Sequence, residues 1–331
     1  MALGTNILTI MAAAGLAVAG LSGHATSPAM AAEKTINGAS CFPIGHPVHK
    51  PFQALADDIN KRGKGVIQIK MVGGAPAIGS PFTLTQKMAR GAYDIVGCTE
   101  AYFGNVIPEA PVLRFSEHTY SGLRKNGGFK YVADLLDKKN IHYVGRYWTF
   151  GPFHLWLKNP ISKPDLKGLN LRVAPVYTAF FKALGATVQQ ASTSQVYTLM
   201  ENGTVHGYGW PAAGWVPAWA KVTGYRVDPG FYDAALHLLV NKKSWNGLTK
   251  AQQGVINEAT LEAEKKVDAG TAWKGILKKQ DAFRAKAGMK IITFKGADRK
   301  KYMDTAREAG WKEVIDRSPK HGPALKKLFT K

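Results

Sequence analysis

Apolar and polar residues follow two different periods in the part of the chain from residue 34 to residue 98. Segments that alternate at every second position predict strands, and segments with an apolar residue every three or four positions predict helices. The predicted strands are 34–41, 65–72 and 94–98, and the predicted helices are 52–62 and 83–90. This β-α-β-α-β order is typical of an α/β domain with a largely parallel sheet.

The same patterns return after residue 140 and predict a second α/β unit. Two short strands are expected at 141–144 and 153–158, separated by Trp148 and by Gly151–Pro152. The elements that follow are a strand ending at Arg172–Val173, a helix at 177–184, a strand at 187–190 and a helix at 192–202. A chain of 331 residues is long enough for two such domains.

The C-terminal third is mainly helical. Its longest predicted helix begins after Thr249, which can serve as the N-cap, and runs to about Phe283. Because a helix rises about 1.5 Å per residue, such a helix is longer than one domain is wide. We therefore expect it to pack against both domains.

The first 31 residues have the features of an export signal. They contain no Lys, Arg, Asp or Glu, and an apolar run from Ile7 to Leu21 is followed by Ala29–Met30–Ala31. Small residues at the two positions read by a signal peptidase predict cleavage after Ala31 and a periplasmic protein. The missing basic residue before Ile7 departs from this pattern. A buried helix or a membrane anchor is the alternative, although the run is short for a membrane span.

The chain is strongly basic, with 44 Lys and Arg against 23 Asp and Glu and a formal net charge of +21. A surplus of this size attracts anions through the summed field of the protein. Its basic residues are scattered, with local clusters at 61–64 and 299–301. Scattered charge outside the cytoplasm favours a solvated surface, and we expect no nucleic-acid partner.

Two cysteines, Cys41 and Cys98, end the first and the third predicted strand. In an open α/β sheet these two strand ends can lie side by side, at the carboxyl edge where such sheets bind ligands. An oxidising compartment would allow a disulfide bond between them. The alternative is a pair of separate buried thiols.

A set of spaced residues between 166 and 211 identifies a family. The set comprises Lys167–Gly168, Arg172, Leu184–Gly185–Ala186, Ser194 with Tyr197, and the turn Gly203–Gly207. In this order and spacing it resembles the solute-binding subunits of TRAP transporters, the DctP type. Further landmarks of that family are similar to His46–Pro47, 91–94, 244–245 and 248–249, so the resemblance covers nearly all of the chain after the leader.

The resemblance implies a two-domain periplasmic binding protein with an interdomain cleft, hinge strands and a long helix spanning both domains. We assign residues 32–150 with about 237–275 to domain I, and residues 151–236 with about 276–331 to domain II. The implied function is to capture a small organic carboxylate and to deliver it to the membrane permease, as a monomer without a cofactor. The alternative is a binding protein for another transporter type or for a sensor kinase.

Arg172 is the first candidate for the ligand site, because in the family this arginine holds the ligand carboxylate. A guanidinium group matches a carboxylate with two parallel hydrogen bonds, although a structural salt bridge is the alternative role. Trp210 and Tyr177 are candidates for an aromatic wall and could equally be core residues. Phe153 and His154 lie where several relatives place a second arginine or a glutamine.

Glu100 and His46 follow the third and first predicted strands and are expected at the cleft, with plain solvent exposure as the alternative.

Gly209 stands where 2-oxoacid-binding relatives carry a glutamate that helps to hold a metal, so no metal site is expected. Phe153, Trp148, Trp156 and Trp210 favour a monocarboxylate with an apolar or aromatic body, with a dicarboxylate or another acid as the alternative.

Catalytic motifs are missing from the sequence. It has no Gly-x-Ser-x-Gly elbow, no His-Glu-x-x-His pair and no Gly-x-x-x-x-Gly-Lys phosphate loop. We therefore expect a protein that is not an enzyme, and a secreted hydrolase with an unfamiliar site is the alternative.

Overall fold

Strands and helices alternate in the N-terminal part of the fold, as the sequence predicts. The computed structural model describes Met1, residues 33–271 and residues 273–331; apart from Met1, the predicted leader lies outside the described residues. The first elements are β1 (Lys34–Ser40), α1 (Lys50–Arg62), β2 (Ile67–Gly74), α2 (Pro81–Ala89) and β3 (Ile95–Cys98). Helix α1 buries residues at positions i, i+3, i+4 and i+7, namely Phe52, Leu55, Ala56 and Ile59.

The middle of the chain consists of short helices and of strands of very different lengths. Its helices are α3 (Glu100–Phe103), α4 (Val112–Phe115), α5 (Tyr120–Asn126), α6 (Gly128–Asp137), α7 (Thr178–Ala183) and α8 (Val196–Glu201). Its strands are β4 (Ile141–Leu157), β5 (Asn170–Val173), β6 (Thr187–Gln190), β7 (Gly207–Pro211) and β8 (Tyr225–Asn241). Single 3₁₀ turns lie at Pro175–Tyr177, Thr193–Gln195 and Pro217–Lys221.

Helices dominate the remaining part of the chain. They are α9 (Lys242–Asn246), α10 (Lys250–Asp268), α11 (Lys274–Lys286), α12 (Gly296–Arg317) and α13 (Gly322–Phe329), and one more strand, β9 (Lys290–Thr293), precedes α12. No helix within the described ranges is both long and apolar enough to cross a bilayer.

All of these strands belong to one sheet, in the order β2-β1-β3-β8-β4-β7-β5-β6, with β9 paired to β8. We call β1 to β3 with α1 to α6 the first half of the fold, and β5 to β7 and β9 with α7, α8 and α11 the second half. Strands within each half are parallel where they pair, whereas the pairs β3–β8, β4–β8 and β4–β7 are antiparallel. The two halves are therefore joined through β4 and β8.

Strand β4 corrects the expectation of two short strands at 141–144 and 153–158. It is a single strand of 17 residues that pairs with β8 along its length, with several shifts of register on the way. Gly151, at a φ of +71°, and Pro152 lie at one of these irregularities. A proline is tolerated in a sheet at such a bulge, so the sequence signal for a break marks only a bend.

The predicted single helix from Thr249 to Phe283 is wrong, because two helices occupy this stretch. Helix α10 has the predicted cap, in which Thr249 and Gln252 form a reciprocal capping box, but it ends at Asp268. Gly270 follows at a φ of +70°, a left-handed conformation that ends helices. Helix α10 packs on β4 and α1, whereas Arg284 of α11 donates to the Ala212 carbonyl oxygen in the second half.

The last two helices, α12 and α13, pack on different parts of the fold. Helix α12 packs mainly on α7 in the second half and also contacts β8 and α4. Helix α13 packs on α4, α5 and α6, and the Glu117 backbone N–H donates to the Phe329 carbonyl oxygen at 2.9 Å. The segment 276–331, which we assign to domain II from the sequence, thus ends on helices of the first half.

Candidate functional site

A small apolar cavity lies where the two halves meet. It has a volume of about 30 Å³, enough for one or two water molecules. The first half contributes Phe42, Val48, Thr99, Ala101 and Tyr102; the second half contributes Ala174, Tyr177, Trp210 and Pro211; and β4 and β8 contribute Phe150, Phe153, Ala234, Ala235 and Leu236. Several of these residues follow the carboxyl ends of β1, β3 and β5, as expected for an α/β sheet.

Arg172 lies next to this cavity, on β5, and its side chain is fully buried. Its Nε donates to the Ala191 carbonyl oxygen at 2.9 Å, and its Nη1 donates to the Tyr177 hydroxyl oxygen at 3.2 Å. Nη2 is buried too, and none of the described residues accepts a hydrogen bond from it. The guanidinium does not line the cavity itself, but its central carbon lies 6.0 Å from the centroid of the Trp210 ring, which does.

Tyr177 connects the arginine to the cavity wall. Its hydroxyl donates to the Gly209 carbonyl oxygen at 2.8 Å and accepts from Arg172. Burial raises the pKa of Tyr177, and the nearby Arg172 charge opposes this rise only in part. A Cβ atom at Gly209 would lie 2.6 Å from the Tyr177 ring. Gly209 therefore provides the space for the tyrosine, and a larger residue at this position would displace it.

Trp210 and Phe153 form much of the aromatic wall. Trp210 is held by its indole N–H, which donates to the Gly214 carbonyl oxygen at 3.1 Å. Phe153 packs against the Tyr177 ring with centroids 5.3 Å apart. Both side chains are buried and both line the cavity, so the structure brings together Arg172, Tyr177, Trp210 and Phe153 as neighbours.

Tyr102 is a cavity residue that the sequence did not single out. It lies on α3 in the first half, and its hydroxyl forms a hydrogen bond of 3.0 Å with the Thr193 hydroxyl of the second half. Both side chains are buried. The only feature of the sequence that points to Tyr102 is its position two residues after Glu100, in the first turn beyond β3. The pair forms a direct polar contact between the two halves beside the cavity.

Cys41 and Cys98 are joined by a disulfide bond, with Cα atoms 5.0 Å apart. Strands β1 and β3 are parallel neighbours, which brings the two cysteines together at the carboxyl edge of the sheet. Phe42 and Thr99, which directly follow the two cysteines in the chain, both line the cavity. The disulfide therefore ties together two segments of the cavity wall.

His46 lies at the edge of the cavity, in the loop after β1. Its ring is 6.2 Å from the Trp210 ring, centroid to centroid, in an edge-on arrangement. Nδ1 accepts from the Val48 backbone N–H, and buried Nε2 has no partner among the described residues. Burial, with a smaller contribution from His49, lowers the pKa of His46 to about 4. The imidazole is therefore neutral at neutral pH, and because Nδ1 is the acceptor, its proton is on Nε2, which can donate a hydrogen bond.

Glu100 is not exposed at the cleft but is completely buried in a charged cluster. Its carboxylate lies 2.7 Å from Nη2 of Arg114, and the two groups form an ion pair whose angles are not those of a hydrogen bond. The carboxylate also accepts a hydrogen bond from His237 Nε2 at 2.9 Å. Burial acts to raise its pKa, but the Arg114 charge and the His237 contact together hold the pKa of Glu100 below its usual value. The role of Glu100 is thus to neutralise Arg114.

His154 points away from the cavity, to the other face of the sheet. Its Nδ1 lies 2.8 Å from an Asp228 carboxylate oxygen and 3.0 Å from the Val227 carbonyl oxygen. Burial acts to raise the pKa of Asp228, but contacts with His154 and Arg226 hold it below its usual value. His154 is not among the residues that line the cavity, whereas the preceding Phe153 is.

Comparisons with known proteins place these features in a family. The family model described as "Bacterial extracellular solute-binding protein, family 7" (DctP) matches residues 39–317. A monocarboxylate 2-oxoacid-binding periplasmic protein of Nostoc sp. is 26% identical over 186 residues, 50% of this chain and 49% of that protein. A solute-binding protein of Roseobacter denitrificans is 24% identical over 51% of this chain and 53% of its own. The chain thus matches about half the length of these two relatives.

Solved structures match over a larger share of the chain. A TRAP periplasmic solute-binding protein of Desulfovibrio salexigens with bound orotic acid has a TM-score of 0.78 at 19% identity, covering 89% of this chain and 97% of that one. A Bordetella pertussis extracytoplasmic solute receptor that binds pyroglutamic acid has a TM-score of 0.74 at 17% identity, covering 89% and 99%. At these identities the likeness shows the two-domain periplasmic binding fold.

Proposed function

Because the chain belongs to family 7 of the bacterial extracellular solute-binding proteins, the DctP family of TRAP transporters, we propose that it captures a small organic carboxylate between its two halves. It then delivers this ligand to the membrane permease of a TRAP transporter. The family consists of transport proteins, and we propose binding without chemical turnover, by a periplasmic monomer whose leader is removed after Ala31.

The observation that carries this proposal is the unbalanced charge of Arg172. Its guanidinium is fully buried, yet its two acceptors are the neutral oxygens of Ala191 and Tyr177. Keeping an isolated charge away from water is costly unless an opposite charge is supplied. A ligand carboxylate that accepts from the free Nη2 would supply it, with the strength of a charge-assisted hydrogen bond.

The remaining wall supports an acid with an apolar or aromatic body. Phe153, Tyr177 and Trp210 offer ring faces and edges for packing. Arg114, whose guanidinium carbon lies 5.0 Å from the centroid of the Phe153 ring, is already paired with Glu100. Among the described residues at the cavity, Arg172 is the cation without an acidic partner, and one such cation with an aromatic wall suits a monocarboxylate better than a dicarboxylate.

Access to Arg172 requires the two halves to move apart. The cavity of about 30 Å³ is far smaller than the roughly 300 Å³ or more of a typical ligand pocket. Strands β4 and β8 connect the two halves and are the proposed hinge. We propose residues 32–150 with about 237–275 and residues 151–236 with about 276–331 as the two moving bodies, except that α13 moves with α4, α5 and α6, on which it packs. Ligand binding shifts the population towards the closed arrangement, in which the Tyr102–Thr193 hydrogen bond forms.

A thermal-shift screen tests the proposed function. The purified protein without its leader is refolded to remove any bound acid, and is then heated with aromatic, branched and cyclic monocarboxylates, dicarboxylates, sugar acids and sulfonates. A ligand of the native state raises the melting temperature as its concentration rises above Kd. We expect a monocarboxylate with an apolar body to give the largest rise, and its uncharged amide to give none. If no acid in the panel raises the melting temperature, the proposed function is wrong.

A further inference from the structure

One helix of the second half presents a basic face to solvent. Helix α11 buries only Arg284 among its thirteen residues. The exposed residues of α11 form one continuous arc of the helix surface and include no acidic side chain. They are Lys274, Gly275, Lys278, Lys279, Ala282, Phe283, Ala285 and Lys286. Four of these eight positions are lysines. Such a face is more basic than the solvated surface of a helix with mixed charges.

These four lysines have no ion-pair partner among the described residues. The described lysines that do form ion pairs are Lys130, Lys242, Lys266, Lys300 and Lys312. The only acidic residue of α11, Asp281, is partly exposed, but its carboxylate is already paired: it accepts from Arg226 at 2.7 Å and from Arg284 at 2.6 Å. The positive charge of the outer face is therefore not neutralised within the described part of the chain.

Apolar side chains are exposed in the same region. Phe283, on the edge of the lysine face, has 43% of its surface exposed, and Ile291 in the following strand β9 has 54% exposed. A single exposed apolar residue needs no explanation. An exposed aromatic ring at the edge of a lysine-rich helix face, however, offers a lipid bilayer an apolar contact beside the positive charge.

We propose that the outer face of α11 docks on an anionic phospholipid bilayer. Lysine is a point charge on a flexible stem, which suits the diffuse charge of a lipid surface, whereas a defined carboxylate on a protein is usually matched by the fork of an arginine. The directed ion pairs of α11 are made by Asp281 and Arg284 and do not involve its four exposed lysines. Lysines near an anionic bilayer attract it electrostatically, and Phe283 can insert between the headgroups.

This docking is separate from ligand capture, because α11 contributes no residue to the cavity wall. It would hold the protein near the membrane, the place where a carrier must release its ligand to a permease. Diffusion over a surface then replaces part of a three-dimensional search. The consequence for the experiment is that binding to vesicles does not require any organic acid.

Co-sedimentation with vesicles tests the proposal on the whole protein without its leader. Vesicles of phosphatidylglycerol with phosphatidylcholine are compared with pure phosphatidylcholine, at low and at high salt. The variant Lys278→Gln/Lys279→Gln removes two charges from α11. Its matched control is Lys326→Gln/Lys327→Gln, which removes two adjacent exposed lysines from α13. Phe283→Ser tests the apolar contact separately.

We expect binding to anionic vesicles only, and loss of that binding at high salt. Each lysine near the surface strengthens binding about five-fold, so the α11 pair should weaken it by roughly 10- to 30-fold. The α13 pair should change it much less, and Phe283→Ser should weaken it without changing the salt dependence. Equal weakening by the two lysine pairs would overturn the proposal in favour of a nonspecific effect of net charge. Unchanged vesicle binding together with impaired ligand uptake by the α11 variant in cells would overturn it in favour of an acidic protein partner.

Discussion

The charges of two buried arginines are balanced in different ways. Arg114 lies 2.7 Å from the Glu100 carboxylate, whereas Arg172 has only neutral hydrogen-bond partners among the described residues. A buried ion pair balances its own charge, and a buried lone cation does not. Of the two, Arg172 is therefore the residue that can gain from an external anion, and Arg114 is the residue whose pairing the fold itself maintains.

Substitution of Glu100 by glutamine should destabilise the protein strongly. Glu100→Gln keeps the shape of the side chain but leaves Arg114 buried without an acidic partner, which costs about 3 to 5 kcal/mol of unfolding free energy. Urea denaturation followed by circular dichroism measures this loss. The matched control Glu262→Gln removes a carboxylate that pairs with Arg62 and Lys266 at the surface, and should change the free energy of unfolding little. Equal effects of the two variants would contradict the role given to Glu100.

The same residue predicts a dependence of stability on pH. The pKa of Glu100 is lower in the folded protein than in the unfolded chain. Its stabilising contribution is therefore complete above the unfolded value of 4.5 and is lost as the pH falls through the folded value. We expect the free energy of unfolding to fall below pH 4.5 less steeply in Glu100→Gln than in the unchanged protein. Parallel curves for the two proteins would show that another carboxylate dominates acid unfolding.

Side-chain direction limits what the sequence can predict at this scale. Phe153 and His154 are consecutive residues of a strand, so they point to opposite faces of the sheet. Only one of them can line the cavity, and the residue types do not reveal which. Arg172 could be chosen from a family motif, but its partners Ala191 and Tyr177 depend on tertiary packing. The pairing of Glu100 with Arg114 is likewise a contact between elements that no local pattern shows.

At the scale of elements, the sequence predicts the short strands and helices well and the long elements poorly. Helices α1 and α2, which lie between strands β1 to β3, follow the expected period, because each buries one face. Strand β4 is long because β8 pairs along its length, and pairing of distant segments has no signature in the local pattern. A helix pattern from Thr249 to Phe283 likewise cannot show that Gly270 adopts a positive φ.

Two glycine substitutions should have opposite effects on stability. Gly270 has a φ of +70°, and a Cβ atom there would meet only Lys274 Nζ at 3.8 Å. Gly270→Ala should therefore cost about 1 to 2 kcal/mol through backbone strain alone. Gly254 lies inside α10 with open space around it, so Gly254→Ala should stabilise by about 0.5 to 1 kcal/mol. Denaturant unfolding measures both. Stabilisation by Gly270→Ala would contradict the helix break between α10 and α11.

At the scale of the whole molecule, ligand capture depends on features spread over both halves. The disulfide fixes the segments that hold Phe42 and Thr99, strands β4 and β8 connect the halves, and the Tyr102–Thr193 hydrogen bond joins them at the cavity. The sequence predicts two α/β units and the family, because motif spacing carries that information. It does not predict the shape of the cavity, which results from residues of at least six separate segments.

Arg172 is the proposed anchor of the ligand carboxylate, and calorimetric titration of Arg172→Met tests this role. The titrant is the acid that gives the largest thermal shift, and Arg299→Met, at an exposed arginine, is the matched control. Methionine nearly matches the length of the arginine side chain but carries no charge and no donor. Because Arg172 lacks an acidic partner, we expect the melting temperature of the ligand-free variant to be unchanged or higher.

We expect Arg172→Met to weaken the binding of this acid by about 30-fold or more, and Arg299→Met to bind it as the unchanged protein does. An affinity of Arg172→Met equal to that of the unchanged protein would contradict the role of Arg172 as the anchor, and the carboxylate would then have to be held by another part of the cleft.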